Sequence, residues 1–383
     1  MKKPRILHLS TAHPANDPRL AYRVIPSLAA HYPLIALLPK ATNKYAEGVR
    51  YIGLPFFRRV LVRLLISHPI ALWHILWLRP SLLHVYDPEL LPLARLVQLL
   101  MRIPVIYEVH ENFYKKLPQK AASQGMLFTH LFRWFDTMAR RHFHLIFTEH
   151  GYLDTYTRLA NPSVVIYNYP SLPFLEPFRC PYAPNRMAPE FFYIGWISLE
   201  RAFDTLVAAL AILKGHYPHF RVHLFGGRTL SDDALAKLPG FSSIRGNLIF
   251  YGYTDQHRAL PHAARATAGL ALLKPVGDYP ESYTTKLFEY MALGLPVVTS
   301  DFPLYRDVVE RHQCGFCVSP NDPIQVANAL VYLIEHPDES LEMGQRGRHA
   351  VETIHNWAGE ARKLLDYYAL VLNERPYALS TME

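Results

Sequence analysis

Residues 280–301 combine carboxylates, hydroxyls and a lysine at a spacing that could bind an anionic, hydroxyl-rich ligand. The segment reads Pro-Glu-Ser-Tyr-Thr-Thr-Lys-Leu-Phe-Glu-Tyr-Met-Ala-Leu-Gly-Leu-Pro-Val-Val-Thr-Ser-Asp. Thr284 or Thr285 is placed to cap a helix that Gly294 ends. A loop before a helix N-terminus binds anions, because free backbone N–H groups and the helix dipole point at the ligand.

Two carboxylates flank this predicted anion site. Glu281 lies in the loop, and Glu289 lies eight residues later in the helix, three residues after Lys286. An ionised carboxylate accepts hydrogen bonds from hydroxyls, so the layout suits a sugar nucleotide, which has hydroxyls on both sides of a diphosphate. An ordinary helix with a solvated Glu–Lys pair fits the same pattern, and the residues alone leave both interpretations open.

The elements that must position these residues alternate between short apolar runs and helical stretches. Continuous apolar runs are typical of strands covered on both faces, so the pattern predicts parallel sheets wrapped by helices. The predicted strands are 5–10, 33–39, 49–55, 82–87, 104–110, 144–149, 163–168, 190–195, 220–226, 247–252, 268–273, 296–301 and 315–320; the predicted helices include 20–31, 89–101, 203–215, 285–293, 323–335 and 357–372.

The chain of 383 residues is long enough for two domains. Six prolines between 170 and 189 predict a linker without regular structure at 171–189. We therefore expect domains at 1–170 and 190–356, and a C-terminal helical segment, 357–383, that crosses back to the first domain. Ligands of doubly wound sheets bind at the carboxyl ends of the strands, so the expected site is a cleft between the two sheets.

Charge is unevenly distributed. Residues 1–186 hold 23 Lys and Arg against 10 Asp and Glu, a balance of +13, whereas the rest holds 17 against 22, a balance of −5. The basic half could contact a nucleic acid, an anionic membrane or an anionic substrate, although no nucleic-acid module accompanies it. Segments 56–83 and 131–144 mix arginines with leucines and aromatics, which fits helices resting on a membrane or helices with solvated basic faces.

Neither a signal peptide nor a membrane-spanning helix is expected. The apolar run near the N-terminus is short, and the stretch 64–78, interrupted by histidines and a proline, is shorter than the ~20 apolar residues that a span needs. We expect a cytoplasmic protein with possible contact at the inner face of the membrane. Cys314 and Cys317 have redox or half-zinc spacing, but no second ligand pair stands out, so two small side chains entering a strand are favoured.

Segment 280–301 closely resembles the Glu-x7-Glu motif of the family-4 (group 1) glycosyltransferases of the GT-B fold. Many members read Lys-Leu-Phe-Glu-Tyr-Met-Ala-x-Gly-Leu-Pro-Val-Val, which this chain matches at nearly every position. The resemblance implies two Rossmann-like doubly wound α/β domains facing across a cleft. It implies that Glu281 contacts the donor sugar and Glu289 the ribose, and that the diphosphate meets backbone amides around Ser282, Tyr283, Thr284 and Thr285.

The run Tyr-Ile-Gly-Trp-Ile-Ser-Leu-Glu-Arg resembles the first strand and turn of that family's sugar-donor domain. Gly195 is then the turn glycine and Arg201 the cation that neutralises the departing phosphate. The family often has a second arginine directly after the glycine, where this chain has Trp196. Lys274 or Lys286 is expected to replace that cation, although Arg201 and Lys274 also fit solvated residues.

Further resemblances concern the nucleobase and the acceptor side. The run Phe-Tyr-Gly-Tyr-Thr resembles the strand end that borders the nucleobase, so Tyr253 could stack on it or simply pack at a turn. Asp87, His110 and its neighbour Glu111 lie in runs that resemble strand ends of the acceptor domain. The resemblance implies that Asp87 and His110 face the cleft and that Asp87 and Glu111 lie on the acceptor side. The resemblance implies that His110 contacts the donor sugar or phosphate. The run Asn-Asp-Pro-Arg-Leu, which contains Arg19, resembles the loop between the first strand and the first helix of that domain. Arg19 could act there on the acceptor side, or it could form a salt bridge at the start of the helix.

The resemblance implies a retaining, metal-independent transfer of a hexose-type sugar from a UDP- or GDP-linked donor to a glycan or lipid-linked acceptor, in surface polysaccharide synthesis. His110, Arg201, Lys274 and Glu281 would be the catalytic residues. Cations and a helix N-terminus can stabilise a leaving diphosphate without metal, and we expect no cofactor and no nucleic-acid partner. A nucleotide-sugar epimerase of the same fold and a non-catalytic sugar-nucleotide-binding subunit of a polysaccharide assembly complex remain alternatives.

Overall fold

The computed structural model describes residues 3–115, 126–179 and 188–373. The chain forms two compact units: the first comprises residues 1–168 and 357–383, and the second comprises residues 169–356. Cys180 and the middle of the proline-rich segment lie outside the described residues.

The predicted βα alternation is present in both units, and every predicted strand is found with ends that differ by at most three residues. The strands are β1 Ile6–Leu9, β2 Leu34–Pro39, β3 Lys44–Ala46, β4 Val49–Leu54, β5 Leu82–Val85, β6 Val105–Val109, β7 His144–Phe147, β8 Ser163–Val165, β9 Glu190–Ile194, β10 Arg221–Phe225, β11 Leu248–Gly252, β12 Ala266–Ala271, β13 Val297–Ser300 and β14 Gly315–Val318.

Helices follow most of these strands. The described α-helices are α1 Ile25–Ala29, α2 Val60–Val62, α3 His68–Leu78, α4 Leu91–Met101, α5 Met126–His142, α6 Leu172–Leu175, α7 Phe203–Lys214, α8 Asp232–Ala236, α9 Phe241–Ile244, α10 Gln256–Ala259, α11 Thr285–Leu293, α12 Pro303–His312, α13 Pro323–Glu335, α14 Pro337–Thr353 and α15 Trp357–Val371. Wider π-helical turns, Leu20–Val24 and Arg63–Ser67, precede α1 and α3; 3-10 turns include Pro88–Leu90, Glu176–Phe178, Leu199–Arg201 and Tyr279–Glu281.

The first unit is an eight-stranded sheet in the order β3-β4-β2-β1-β5-β6-β7-β8. Its described pairs are parallel except β3–β4, a short antiparallel edge pair that the sequence pattern did not predict. Helices α3, α4 and α5 pack on one face of the sheet. The π-turn, α1 and the C-terminal helix α15 cover the other face, where Tyr368 and Trp357 are buried. Both faces are therefore apolar, which explains the continuous apolar runs.

The second unit is a six-stranded parallel sheet in the order β11-β10-β9-β12-β13-β14. Its largest core joins α7 and α13 to one face of this sheet. Cys314 is buried directly before β14 and Cys317 is half-buried within β14, both as free thiols. Burial raises the pKa of each thiol to about 12. Buried thiols of this kind are unreactive, which agrees with the prediction of small packed side chains at the start of a strand.

One prediction about irregular structure is wrong. The proline-rich segment keeps regular structure in α6 and in the 3-10 turn Glu176–Phe178, because Pro173 and Pro177 lie in the first turn of each, where a missing N–H costs little. The apolar stretch 64–78 is part of a longer helix, since the π-turn joins α2 and α3. Val60–Leu78 is a single helix of 19 residues, long and apolar enough by length and composition alone to cross a membrane.

Candidate functional site

The order of strands marks one edge of each sheet as the place for a ligand. In the second unit the chain runs from β9 outward to β10 and β11, and then returns to the other side of β9 for β12. Open α/β sheets bind ligands beyond the carboxyl ends of the strands at such a reversal. The loops after β9 and β12 meet there, and they carry Gly195, Arg201 and the segment that leads into α11.

Two cations converge on Gly195. This glycine has φ of +142°, and a β-carbon at its position would lie 3.3 Å from Arg201 Nη1 and 3.5 Å from Lys286 Nζ. Arg201 arrives from the turn after β9, whereas Lys286 arrives from the first turn of α11. The structure thus brings together Gly195 and Arg201, from one run of the sequence, and Lys286, which lies 91 positions after Gly195.

Lys286 is an unusual cation because it is only 4% exposed and its Nζ has no hydrogen-bond partner among the described residues. The ammonium lies 4.4 Å from the centroid of the Tyr193 ring. Burial and the nearby charge of Arg201 hold the pKa of Lys286 well below its ordinary value of 10.5, although Glu289 acts in the opposite direction. A buried cation without a partner is costly, so this one is suited to an anionic ligand.

Helix α11 begins at the ligand edge. Thr284 is its N-cap residue, as predicted, but the Thr284 side chain makes no cap hydrogen bond, and Gly294 ends the helix at φ of +80°. N–H groups of a first helical turn have no partner within the helix. The Tyr290 hydroxyl accepts from Ile194 N at 3.1 Å and donates to Leu270 O at 3.3 Å. These bonds fix α11 against β9 and β12.

The two carboxylates differ in environment. Glu289 is only 6% exposed, so a solvated Glu–Lys pair with Lys286 is excluded. Glu281 is exposed at the end of a 3-10 turn. Between them, Ser282 O accepts a 3.0 Å hydrogen bond from the Tyr305 hydroxyl, and the Tyr283 ring packs edge-on against Phe288. The segment is therefore held by its neighbours at several points.

Three other predicted residues of this unit have different surroundings. Lys274 Nζ forms a 2.5 Å salt bridge with Asp204 Oδ2, so its charge is already neutralised. The indole of Trp196 lies on Gly227, where a β-carbon would come within 2.6 Å of the ring. Tyr253 is 77% exposed at the end of β11. Of the two lysines proposed to replace the missing arginine, Lys286 is the one beside Arg201.

In the first unit, Glu108 organises a buried charge network that the sequence did not predict. Its carboxylate is fully buried and accepts from Arg19 Nε at 2.6 Å, and it contacts His110 Nε2 at 2.6 Å and His84 Nε2 at 3.3 Å. Burial would raise the pKa of Glu108, but the charge of Arg19 and the bond to His110 hold it well below the ordinary value. Charged groups of this kind persist in a core only when paired.

Asp87 ties down the loop after β1. It accepts from the backbone N–H groups of Thr11 and Ala12 at 2.6 and 3.1 Å and from Ser10 Oγ at 2.8 Å. Burial would raise the pKa of Asp87, but these bonds and the 2.9 Å bond from His13 lower it below its ordinary value.

Two acceptor-side predictions need correction. Arg19 is 3% exposed and Asp87 is 2% exposed, so neither side chain is open to an acceptor. Arg19 holds Glu108 and donates to Ile166 O at 3.1 Å, because a buried carboxylate needs a fixed cation. Glu111, by contrast, is exposed, and His110 is half-buried, with one ring nitrogen bonded to Glu108.

His13, like Glu108, is a residue of this unit that the sequence analysis missed. It follows β1 at the reversal point between β1 and β5, the position that the strand-order rule selects. Burial lowers the pKa of His13, but the hydrogen bond and charge of Asp87 outweigh it and raise the pKa to about 9. The His13 and His110 rings are 4.9 Å apart, so an imidazolium stands beside His110 at neutral pH.

Comparison with known families agrees with this geometry. Residues 178–350 match the family model described as glycosyl transferases group 1. Residues 23–169 match that of the glycosyl transferase 4-like domain. The chain belongs to the group 1 glycosyltransferases. The matched ranges cover both units, and the group 1 range contains Gly195, Arg201, Lys286 and Glu289.

Curated relatives of this group 1 glycosyltransferase share limited identity. The phosphatidyl-myo-inositol mannosyltransferase of Mycolicibacterium smegmatis is 28% identical over 174 residues, which are 45% of this chain and 42% of the relative. The putative glycosyltransferase EpsD of Bacillus subtilis is 22% identical over 156 residues, 41% of this chain and 39% of the relative. The chain spans less than half of the length of the curated relatives it matches.

Solved structures share the whole fold. Sucrose-phosphate synthase from Thermosynechococcus elongatus has a TM-score of 0.74 at 17% identity, covering 97% of this chain and all of that one. Anabaena HepE, solved with UDP-glucose, has a TM-score of 0.70 at 15% identity, covering 96% and 100%. At such identities the likeness concerns the fold alone, and it confirms the prediction of a GT-B enzyme fold with two Rossmann-like doubly wound domains.

Proposed function

We propose that this group 1 glycosyltransferase moves a hexose-type sugar from a nucleotide diphosphate donor to a glycan or lipid-linked acceptor, with retention of anomeric configuration and without a bound metal. The observation that carries the proposal is the meeting of Arg201 and Lys286 at Gly195, in front of the first turn of α11. Two cations and a helix N-terminus form a site for a diphosphate. That Anabaena HepE was solved with UDP and UDP-glucose supports this choice of ligand.

The roles follow from charge and burial. Arg201 is permanently charged and would stabilise the oxygens of the leaving diphosphate. Lys286, whose pKa is lowered by burial and by the charge of Arg201, would be held in its ammonium form by a bound anion, because an opposite charge favours that form. Glu289 would accept hydrogen bonds from the ribose hydroxyls and Glu281 from the sugar hydroxyls.

The transfer itself needs no protein nucleophile. The bond between the anomeric carbon and the β-phosphate oxygen breaks while the acceptor oxygen forms a bond on the same face of the sugar. The proton of the acceptor hydroxyl passes to the departing phosphate oxygen. Positive charge builds on the sugar ring and negative charge on the diphosphate, so preorganised cations favour the transition state over the ground state.

The test is a transfer assay with UDP- and GDP-linked sugars against free glycans and lipid-linked saccharides, run with and without EDTA. We expect nucleoside diphosphate release, a mass gain of one sugar on the acceptor, an α-linkage from an α-linked donor, and full activity in EDTA. A β-linked product would disprove retention, and loss of activity in EDTA would disprove metal independence. An epimerised nucleotide sugar without transfer would identify an epimerase, and donor binding without product across all acceptors would indicate a non-catalytic subunit.

A further inference from the structure

The first unit carries an exposed apolar face on three neighbouring helices. Helix Val60–Leu78 contacts α4, and α4 contacts α5, on the same side of the sheet. Among the described residues, 11 of the 22 exposed large apolar side chains lie on these three helices, so the exposure is concentrated there. We call this surface the apolar face, and its most exposed members, each at least 59% exposed, are Leu61, Leu65, Trp73, Trp77, Leu99, Leu100 and Trp134.

This apolar face has the composition of an interface between water and lipid. Trp73 and Trp77 are one helical turn apart, and their rings stack at 5.8 Å. Tryptophan favours the headgroup level of membranes, since its ring is apolar and its N–H is polar. A concentration of exposed apolar side chains on neighbouring helices favours an interaction site.

Positive charge surrounds the apolar face, and Glu89, a carboxylate beside it, is paired with Arg63 at 2.8 Å. Arg58, Arg59 and Arg79 are exposed at the two ends of helix Val60–Leu78, and Arg102 and Arg133 are exposed on or beside the other two helices. The sequence has no Asp or Glu between Glu47 and Asp87, and none in α4. The carboxylate within α5, Asp136, is fully buried and paired with Arg140. The charge therefore complements an anionic surface.

The packing of helix Val60–Leu78 against the sheet limits how this helix can contact lipid. Ala71, Ile75 and Leu78 form a stripe at helical spacing, and all three are buried against the sheet. Crossing a bilayer would remove this helix from the sheet and expose the core beneath it. A helix that keeps one face on the protein while offering the other to lipid lies in the plane of the membrane surface.

We infer that the first unit docks on an anionic lipid bilayer through the apolar face, with helix Val60–Leu78 lying in the membrane plane rather than spanning the membrane. The tryptophans and leucines enter the headgroup region, and the flanking arginines bind lipid phosphates. This inference concerns binding alone and stands whether or not the proposed transfer is correct.

The test is co-sedimentation of the full chain with vesicles of phosphatidylcholine and phosphatidylglycerol, against vesicles of phosphatidylcholine alone. We expect binding to the anionic vesicles that weakens as salt is added. Leu65→Ser with Leu99→Ser should weaken binding about tenfold or more, because two inserted side chains are lost. The matched pair Ile324→Ser with Leu370→Ser, exposed elsewhere, should bind as the wild type does. Arg58→Gln with Arg59→Gln should weaken binding about fivefold for each arginine.

Circular dichroism of each variant, checked for an unchanged thermal transition, separates lost docking from lost folding. Three outcomes would overturn the inference. The wild type could fail to bind anionic vesicles. It could remain in the bilayer after alkaline carbonate extraction, which would indicate a spanning helix. Finally, the apolar face could be buried in a dimer interface. The double variant Leu65→Ser with Leu99→Ser would then be monomeric and would bind vesicles as the wild type does.

Discussion

Lys286 is a side chain whose burial opposes folding and whose position favours ligand binding. It is 4% exposed, and its Nζ has no hydrogen-bond partner in the described part of the chain. We expect Lys286→Met, which keeps the length of the side chain, to raise the free energy of unfolding by about 1 kcal/mol, since a buried amine without a hydrogen-bond partner is replaced by an apolar side chain. The same change should lower kcat/KM about 100-fold, because one cation at the diphosphate is lost.

Urea unfolding and steady-state kinetics check both parts of this prediction. Lys237→Met, at an exposed position of the same unit, is the control and should change neither quantity much. A strongly destabilised Lys286→Met variant would mean that the ammonium has a structural partner, and unchanged kinetics would remove it from the site.

His13 predicts a pH dependence of stability. Its folded-state pKa is raised to about 9 from an ordinary 6.5, mainly through Asp87 acting against burial. A raised pKa means that the bond to Asp87 stabilises the fold fully below about pH 6.5, and that this contribution declines as the pH rises through about 9. We expect the stability difference between the wild type and His13→Gln to shrink across this window.

Chemical unfolding at several pH values measures that difference. If the difference in the free energy of unfolding between the wild type and His13→Gln stays constant up to pH values above 9, His13 is not held as an imidazolium. His13→Gln should also change the pH profile of turnover if the imidazolium contributes to ligand binding beside His110.

Helix α11 depends on close contact between Tyr290 and Gly269 of β12. A β-carbon at Gly269 would lie 2.2 Å from Tyr290 Cδ2, so Gly269→Ala must push Tyr290 and its hydroxyl away from Ile194 N and Leu270 O. We expect a loss of about 1–3 kcal/mol in stability and a raised KM for the sugar donor, since Lys286 moves with the helix. Gly246→Ala, where a β-carbon meets nothing within 4 Å, is the control, and equal effects from both would contradict the account.

The positions of elements could be predicted from the sequence better than their contacts. Apolar runs located the strands, and the cap at Thr284 and the end at Gly294 located α11, because these signals are local. The convergence of Arg201 and Lys286 could not be predicted from spacing, since it depends on two loops meeting at one sheet edge. The family resemblance named Arg201 and left both Lys274 and Lys286 as candidates. The structure separates them, because Lys274 is paired with Asp204 whereas Lys286 lies beside Arg201.

Buried charge explains the errors in the first unit. Arg19 and Asp87 have residue types that are usually exposed, and the resemblance placed them toward an acceptor. Glu108, which no motif marked, lies within an apolar strand and requires Arg19 and two histidines as partners. Such networks join residues far apart in the sequence, so local patterns contain no signal for them.

At the scale of the whole molecule, the first unit is completed by the end of the chain. Helix α15 buries Trp357, Leu364 and Tyr368 against the sheet. The Tyr367 hydroxyl donates to Pro162 O at 2.6 Å. We expect a polypeptide of residues 1–168 alone to bind the dye ANS and to unfold without a cooperative transition, because this apolar surface is uncovered. Adding a peptide of residues 357–373 should restore cooperativity; a cooperative 1–168 fragment would contradict this role of α15.

The central claim is that Gly195, Arg201, Lys286 and Glu289 form the sugar-donor site, and the most direct test is the rate of nucleoside diphosphate release at low donor concentration. Arg201→Ala and Glu289→Ala should each lower kcat/KM about 100-fold while the circular dichroism spectrum stays that of the wild type. Arg258→Ala, at an exposed position of the same unit, should leave the rate unchanged. Near-normal turnover by either Arg201→Ala or Glu289→Ala would show that the donor binds elsewhere.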